Sequence, residues 1–173
     1  MRSLLLIVAF CVVNFCFGQH EEKRRVHYVT GVFGFSFIPK AIESDKLNDI
    51  LIVPTIGLNY DYHLNHRWSL GAHIDVILQQ YEVERHDGDL FLERAFPVSA
   101  NLVGGYHFIP QWMILAGGGM EFERDESFTM ATLGIDYAFD IHEKWDTNVN
   151  AIFDYRFNAY SSFLIGISFS YKP

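Results

Sequence analysis

Apolar and polar residues alternate with a period of two along most of the chain, most regularly near the C-terminus. The last run has an apolar face and a mostly small or polar face: Phe163, Ile165, Ile167, Phe169 and Tyr171 alternate with Leu164, Gly166, Ser168, Ser170 and Lys172. A period of two is that of a β-strand, whereas a helix would repeat every 3.6 residues or so. The same pattern predicts about eight strands, near residues 26–37, 51–63, 67–85, 90–107, 112–123, 127–141, 145–157 and 162–172.

The predicted connections are of two kinds. Three of them share one plan, an aromatic residue, a short turn and then tryptophan, and they contain all three tryptophans of the chain. Trp and Tyr favour the membrane–water interface, so we predict interface aromatics at Tyr62, Trp68, Tyr106, Trp112, Phe139 and Trp145. Aromatic clusters at the base of a soluble core are the alternative. The other connections, near 38–50, 86–89, 123–127 and 158–161, are more varied, and such two-ended architecture is typical of an outer-membrane barrel.

Alternation alone fits both a membrane barrel and a secreted, lipocalin-type barrel with the opposite face inward. The bulky apolar residues are too numerous for the interior of eight strands, which side chains barely fill. The opposite face carries eight of the 13 glycines: Gly34, Gly57, Gly71, Gly105, Gly117, Gly119, Gly134 and Gly166. Glycine in a strand marks close approach of another group, as in a narrow lumen. The sequence therefore predicts an all-β, eight-stranded antiparallel up-and-down transmembrane β-barrel with its bulky face toward lipid.

The N-terminus has the pattern of a cleavable signal peptide. Arg2 supplies a positive charge, residues 4–13 are apolar, and the small residues Cys16 and Gly18 precede Gln19. The apolar stretch is far shorter than the roughly 20 residues of a membrane helix. We predict a signal peptide at 1–18, a short segment at 19–25 and a barrel domain at 26–173, exported to the cell outer membrane.

Charge and cysteine content exclude several kinds of chemistry. The chain has 13 Lys and Arg against 21 Asp and Glu, which argues against a nucleic-acid partner. Both cysteines, Cys11 and Cys16, lie in the predicted signal peptide. The body therefore has no disulfide framework, thiolate metal cluster or cysteine nucleophile, and we expect no cofactor and no metal site.

The chain resembles the small eight-stranded outer-membrane β-barrels of Gram-negative bacteria, the group of the OmpX, OmpW and OmpA-barrel types and of the single-domain barrels of Bacteroidota. The resemblance covers the mature chain and is most specific in the last strand, where Gly166, Phe169 and Tyr171 resemble the family's assembly signal. Leu164 at a usually polar place and the ending Lys172-Pro173 depart from that pattern. The resemblance implies outer-membrane lipid and the barrel-assembly machinery as partners, and it identifies no extracellular ligand.

The predicted inward face carries ionisable residues that form a candidate lumen network: Asp61, His73, Asp75, Glu93, Glu121, Asp136, Asp154 and Arg156. Buried carboxylates are costly unless they are paired, so we interpret this set as a polar network that plugs the lumen. A cation-selective pore is the alternative, but it needs open space that eight strands seldom leave.

We expect a non-enzymatic membrane protein with a structural or surface-interaction role. One alternative is a lipid A-modifying enzyme at the barrel rim; its candidate residues would be Ser127, Ser161, Ser162 and His86, although the His-x-Ser-Asn string of the deacylase is absent. The other is a secreted lipocalin-like lipid carrier, whose Gly-x-Trp signature is missing at all three tryptophans.

The third and fourth predicted strands are longer than the roughly 9–11 residues that cross a membrane. We therefore predict that the hairpin around 81–92 projects from the barrel and, with the loop at 39–49, forms an exposed interaction surface. A rigid extension of the barrel wall is the alternative.

Overall fold

The computed structural model describes residues 26–43, 46–86, 91–124, 126–142 and 144–173. The predicted signal peptide at 1–18 and the segment at 19–25 lie outside these residues. The strands are β1 (Val26–Glu43), β2 (Lys46–His63), β3 (Trp68–Ile77), β4 (Gln80–Glu84), β5 (Phe91–Ala95), β6 (Val98–Ile109), β7 (Trp112–Phe122), β8 (Phe128–His142), β9 (Trp145–Arg156) and β10 (Ser161–Tyr171). No helix in these ranges is long and apolar enough to cross a membrane.

Eight of the strands form a closed antiparallel barrel, as predicted. Around the ring they follow the order β1, β2, β3, β6, β7, β8, β9 and β10. The seam joins β1 to β10, in register from the pair Val29–Tyr171 to the pair Phe37–Phe163. Closure gives every strand of the ring two neighbours, as a barrel in lipid requires so that its backbone groups are paired where these ladders run.

The bulky apolar face points outward. Along β10 exposed and buried residues alternate strictly, with Ile167 50% exposed and Ser168 1% exposed. We call the exposed apolar side chains around the ring the apolar belt; the most exposed include Phe33, Phe35, Leu58, Leu70, Leu102 and Leu133. The inward face carries buried serine, threonine and asparagine, at Ser36, Asn101, Thr132 and Asn150 among others. The lipocalin-type arrangement is therefore wrong, because it requires the bulky face to converge inside.

Inward glycines make room for polar side chains. A Cβ atom added to Gly57 would overlap the carboxylate of Asp75, and one added to Gly71 would overlap that of Asp61. At Gly119 an added Cβ would overlap the backbone of β6. The lumen is therefore packed closely against its own wall, as the glycine pattern predicts.

The predicted runs 67–85 and 90–107 are each broken in two. Phe96 has a positive φ of 51° and is followed by Pro97, which cannot donate to a strand ladder. Because this irregularity separates β5 from β6, the inward positions change from odd numbers in β6 to even numbers in β5. Glu93 is consequently exposed and Arg94 is fully buried. The prediction of Glu93 as a lumen residue is wrong for this reason.

The predicted loop at 38–50 is mostly strand. β1 continues to Glu43 and β2 begins at Lys46, and they remain paired up to the pair Glu43–Lys46. Lys40 has a φ of 49°, so the inward positions shift there too, and both Ile38 and Ala41 are fully buried.

The β4–β5 hairpin lies across one mouth of the barrel. β4 follows β3 and pairs with β1 at Ala41–Val83 and Ile42–Glu82. Farther from this mouth, the same edge of β1 pairs with β10. We call the described residues of this hairpin, 80–86 and 91–95, the lid, and we call this end of the barrel the lid end. The prediction of a projecting hairpin is wrong, because Tyr81 and Val83 are buried against the barrel interior. The hairpin tip at 87–90 lies outside the described residues.

Candidate functional site

The lid closes its end of the barrel by inserting apolar side chains. Tyr81 and Val83 of the lid pack into a buried cluster with residues of the wall and of the β9–β10 turn: Ile38, Ala41, Leu51, Val53, Ile77, Phe128, Ala159 and Tyr160. Apolar burial of this kind contributes about 1.5–3 kcal/mol for each large side chain. The part of the lumen nearest the lid, which we call the upper lumen, therefore has a hydrophobic core, and the rest is the lower lumen.

A fully buried carboxylate lies beneath this core. Glu121 of β7 accepts hydrogen bonds from Arg94 of the lid (Nη2 to Oε1, 2.6 Å), from Arg156 Nε of β9, and from the Tyr160 hydroxyl (2.9 Å to each carboxylate oxygen). Arg156 also donates from Nη1 to the Ser162 hydroxyl at 2.9 Å. Glu121 thus joins two barrel strands, a turn and the lid at one point.

The charges of this cluster balance. Arg94 Nη1 lies 3.4 Å from a carboxylate oxygen of Glu123 and donates to the backbone carbonyl of Glu126 at 2.8 Å. Glu121 and Glu123 therefore match Arg94 and Arg156, all four with nearly buried side chains. Such a cluster is tolerated only while its members remain together, because an unpaired buried charge is far more costly than a pair. We call these four residues the charged cluster.

Two tyrosines link the apolar core to the charged cluster. The Tyr81 and Tyr160 hydroxyls lie 2.8 Å apart, and Tyr160 continues the chain of hydrogen bonds to Glu121. Burial raises the pKa of the Tyr81 hydroxyl well above its ordinary value, and burial likewise raises the pKa of Tyr160. Both groups therefore remain neutral donors in the alkaline range where an exposed tyrosine ionises.

Polar contacts hold the lid at the rim. Lys40 Nζ lies 3.1 Å from Glu84, Arg85 forms an ion pair with Glu126, and the backbone N–H of His86 donates to the carbonyl of Ala159 at 2.8 Å. A groove of about 170 Å³ lies at this junction. Its lining comes from β1, the lid, the β9–β10 turn and the first residue of β10: Pro39, Lys40, Glu84, Arg85, His86, Tyr160 and Ser161.

The remaining members of the predicted lumen network lie lower in the barrel. The His73 ring lies 3.0 Å from the Asp61 carboxylate, and Thr132 donates to Asp154 at 2.7 Å. Asp75 and Asp136 line the same lumen and interact electrostatically with His73. Among the described residues no group of three His, Cys, Asp or Glu side chains is placed to hold a metal ion. Of the predicted network only Glu121 and Arg156 belong to the charged cluster, and Asp154 connects the two groups because it interacts electrostatically with Arg156 and with His73.

Sequence reasoning missed half of the charged cluster and its tyrosine links. Arg94 was not predicted to face inward because the change of face at Phe96 hid it, and Pro97 within a predicted strand was the available signal. Glu123 and Tyr160 fall in predicted connections, where alternation carries no information.

The predicted interface aromatics gather at the opposite end, which we call the turn end because its connections are short. Each tryptophan pairs across strands with a tyrosine: Trp68 with Tyr106, Trp112 with Tyr137 and Trp145 with Tyr171, at ring distances of 4.7, 4.8 and 4.9 Å. Nearby, Tyr62 contacts the His27 ring at 5.0 Å, and Phe139 contacts Tyr137 at 4.6 Å. All three tryptophans are exposed on the outer surface, and their contact with the lipid interface remains a prediction.

The predicted assembly signal lies on β10 at the seam. Phe169 is half exposed on the outer face, whereas Gly166 faces Gly34 of β1 on the inner one. A Cβ atom on Gly34 would come within 2.8 Å of Gly166 Cα, so this pair permits close contact of the first and last strands. Recognition of Gly166, Phe169 and Tyr171 by an assembly machinery remains a prediction.

The barrel is similar in fold to solved outer-membrane β-barrel structures. No protein-family model and no curated protein match the sequence. Among solved structures, the N-terminal β-barrel domain of Pseudomonas aeruginosa OprF is similar, with a TM-score of 0.58 and 13% identity over 85% of this chain and 97% of that one. The outer membrane protein OprG of Pseudomonas aeruginosa is similar at a TM-score of 0.56 and 12% identity, over 88% of this chain and 97% of that one. By its fold the chain is a closed eight-stranded antiparallel β-barrel similar to those of these two outer-membrane proteins, with the apolar belt around its outer face.

Proposed function

We propose that this chain is an integral outer-membrane protein with a structural or surface-interaction role, whose lumen is closed to solutes. The observation that carries the proposal is the lid with the charged cluster beneath it. Together they fill one end of the lumen with side chains that are almost entirely buried. A barrel filled in this way supplies a rigid membrane anchor rather than a route for diffusion.

Lumen packing below the lid supports the same role. Carboxylates of Asp61 and Asp75 pack directly against Gly71 and Gly57 of the wall. An apolar group of Val32, Ile152 and Leu164 fills a further part of the interior. Polar and apolar side chains thus occupy the interior together, which favours a plugged lumen over a cation-selective pore.

Conductance in planar lipid bilayers tests this proposal. Insertion is checked first by gel migration, since a folded barrel runs as a compact band that shifts after boiling. We expect no discrete current steps from the inserted protein, while an open general porin in the same bilayer conducts. Reproducible, ohmic steps from the wild-type chain would contradict the closed lumen and favour the pore.

The outer surface of the lid supports the surface-interaction part of the role. Glu82 and Glu93 pair directly across β4 and β5, and both are exposed, as is Phe91 beside them. Like charges placed opposite each other destabilise a hairpin, so this face is not optimised for stability alone. Adhesion of cells that express the wild type is compared with that of cells expressing Glu82→Gln with Glu93→Gln. If the two kinds of cell adhere equally while they display equal amounts of protein, only the structural role is supported.

A rim enzyme is a second candidate, favoured by one observation. Ser161 and His86 line the same groove at the junction of lid and wall, with Lys40 beside them. Ser162 is instead engaged by Arg156. Mass spectrometry of lipid A from cells with the gene, without it and with Ser161→Ala tests the candidate. The non-enzymatic role predicts identical lipid A in all three, and a change lost in Ser161→Ala would favour the enzyme.

A further inference from the structure

The backbone of the lid is joined to β1 and to the β9–β10 turn by few hydrogen bonds. The ladder between β4 and β1 contains two residue pairs, and one further backbone hydrogen bond joins His86 to Ala159. By contrast, the seam between β1 and β10 contains nine pairs. Segments held by short ladders open at a lower free energy than the strands around them, provided that their side-chain contacts can be released.

Backbone hydrogen bonds hold the lid at the two points where it joins β3 and β6, which we call its hinges. On the β3 side, Leu78 N–H donates to the carbonyl of Pro54 at 2.9 Å, and Ile77 N–H donates to that of Pro97 at 3.2 Å. On the β6 side, Phe96 N–H donates to the carbonyl of Gln79 at 3.2 Å. These bonds close the base of the hairpin independently of the lid's contacts with β1. Loss of the lid's contacts with β1 would therefore leave these hydrogen bonds at the base in place.

Backbone strain coincides with the lid. Within the described ranges, the non-glycine residues with positive φ are Lys40, Phe96 and Asn158. Phe96 lies at the hinge, Lys40 lies next to the residues that β4 pairs with, and Asn158 precedes Ala159, the acceptor for the His86 N–H. Strained backbone persists only where surrounding contacts hold it, and it is concentrated at switching and binding elements.

The charged cluster is divided between the lid and the wall, and the wall keeps a paired charge when the lid opens. Arg94 belongs to the lid, whereas Glu121 and Arg156 both belong to the wall. If the lid leaves, Glu121 keeps Arg156 and the Tyr160 hydroxyl as partners, so the wall retains a paired charge. Arg94 moves to water, where a guanidinium is well solvated. Opening must therefore break the ion pairs of Arg94 with Glu121 and Glu123, and Glu121 still has a partner in the wall after they break.

We propose that the lid is a releasable cover and that Glu121 is the latch that holds it closed through Arg94. Release uncovers the upper lumen, an apolar cup lined by Ile38, Leu51, Val53 and Phe128 that the lid's Tyr81 and Val83 fill in the closed form. The lid thus acts as an intramolecular occupant of this cup, and opening makes the cup accessible from the lid end.

Cysteine labelling of the folded barrel tests the proposal. Cys11 and Cys16 are replaced by serine, and Val83→Cys reports on the lid, because Val83 is fully buried when the lid is closed. The probe is a membrane-impermeant maleimide added to protein in phosphatidylcholine vesicles. Glu121→Gln keeps the side-chain shape but removes the charge that holds Arg94, so we expect labelling at position 83 to accelerate at least about tenfold.

Two controls separate lid release from general loosening. Ser168→Cys reports on the lower lumen, where Ser168 is 1% exposed, and its labelling rate is expected to remain unchanged in Glu121→Gln. Asp61→Asn removes a lumen carboxylate that contacts His73 and no lid residue, and it is expected to leave the thiol at position 83 protected. If Glu121→Gln does not fold, Arg94→Gln replaces it, since that change leaves Glu121 and Arg156 paired.

The outcomes decide the proposal. Faster labelling at position 83 alone, in Glu121→Gln or in Arg94→Gln, supports a latched lid. Equal protection of the thiol at position 83 in the Val83→Cys protein with and without the latch substitutions would overturn it, and so would equal acceleration at positions 83 and 168. Bilayer conductance is a separate measurement, so a closed-lumen failure is distinguishable from a latch failure.

Discussion

The turn end and the lid end of this barrel are built from the same eight strands but are stabilised in different ways. At the turn end, three equivalent Trp–Tyr pairs lie on the outer surface, one at each short turn. At the lid end, the key contacts lie inside and converge on one carboxylate, Glu121. Stabilisation is therefore divided among repeated contacts at one end and concentrated at a single residue at the other.

This difference predicts how each end responds to change. Independent contacts contribute additively, whereas groups that share one partner are strongly coupled. A substitution at the turn end should therefore cost a small, repeatable amount. A substitution in the charged cluster should cost much more, because it leaves other members buried without a partner.

The largest effect is expected from Glu121→Ala. Removal of this carboxylate leaves Arg94 and Arg156 buried without the counter-charge that they share, and we expect a loss of about 3–5 kcal/mol in the free energy of unfolding. The control is Asp61→Ala, where one hydrogen bond to His73 is lost at a cost of about 1.5–3 kcal/mol. Urea unfolding in lipid vesicles, followed by tryptophan fluorescence, measures both. An equal loss in the two variants would contradict the contrast between the two ends.

Gly119→Ala tests the wall that separates the two ends. Its new Cβ would overlap the backbone of β6 at Ala100 and Asn101, so we expect a loss of about 1–3 kcal/mol from overpacking. The matched control is Gly104→Ala, because a Cβ there meets only the Ala116 carbonyl oxygen, at 3.9 Å. The same urea titration compares them, and a larger loss in Gly104→Ala would show that the lumen is not tightly packed at Gly119.

Alkaline pH should weaken the lid end selectively. Burial raises the pKa of Tyr81 and of Tyr160 in the folded chain, so both stay protonated while the unfolded chain ionises above about pH 10. Stability is complete below that pH, and it then falls by about 1.4 kcal/mol per pH unit for each tyrosine until the folded pKa is reached. Urea midpoints between pH 9 and 11 measure the slope. Tyr81→Phe should reduce the slope by one tyrosine's share, and an unchanged slope would mean that Tyr81 ionises while folded.

The smallest effects are expected in the Trp–Tyr pairs. Tyr106→Leu retains apolar area but removes the ring that contacts Trp68, which should cost about 0.5–1.5 kcal/mol. Tyr137→Leu should cost a similar amount, and the double variant should show the sum of the two. Urea unfolding in vesicles checks all three proteins, with Tyr62→Leu as the control, since Tyr62 contacts His27 rather than a tryptophan. A double variant that loses far more than the sum would show that the turn end, too, acts as one unit.

Sequence alternation predicts the barrel wall and its outer face because both follow the two-residue period. The best example is the pair of strands Trp145–Arg156 and Ser161–Tyr171, which pair with each other in an unbroken register. The bulky face could be assigned to lipid from volume alone, because no arrangement of eight strands holds that many large side chains inside. The positions of Glu121 and Arg156 in the lumen follow from the same rule.

The lid could not be predicted, because it depends on local departures from that period. The positive φ values of Lys40 and Phe96 change which positions face inward. Neither residue is a glycine or an asparagine, the residue types that favour this conformation. The pairing of Val83 with Ala41 joins strands that are not adjacent in the chain, so no local pattern encodes it. Glu93 was assigned inward and Arg94 overlooked for the same physical reason.

The place where β4 joins β1 has a mechanical consequence for the barrel. β1 and β10 meet along the one line where the two ends of the domain come together, and the lid is bonded to both sides of that line, to β1 through Ala41 and Ile42 and to the turn before β10 through Ala159. The lid therefore connects the two sides of the seam at this mouth. Any separation of the first strand from the last that begins here must break the lid's contacts before it can proceed.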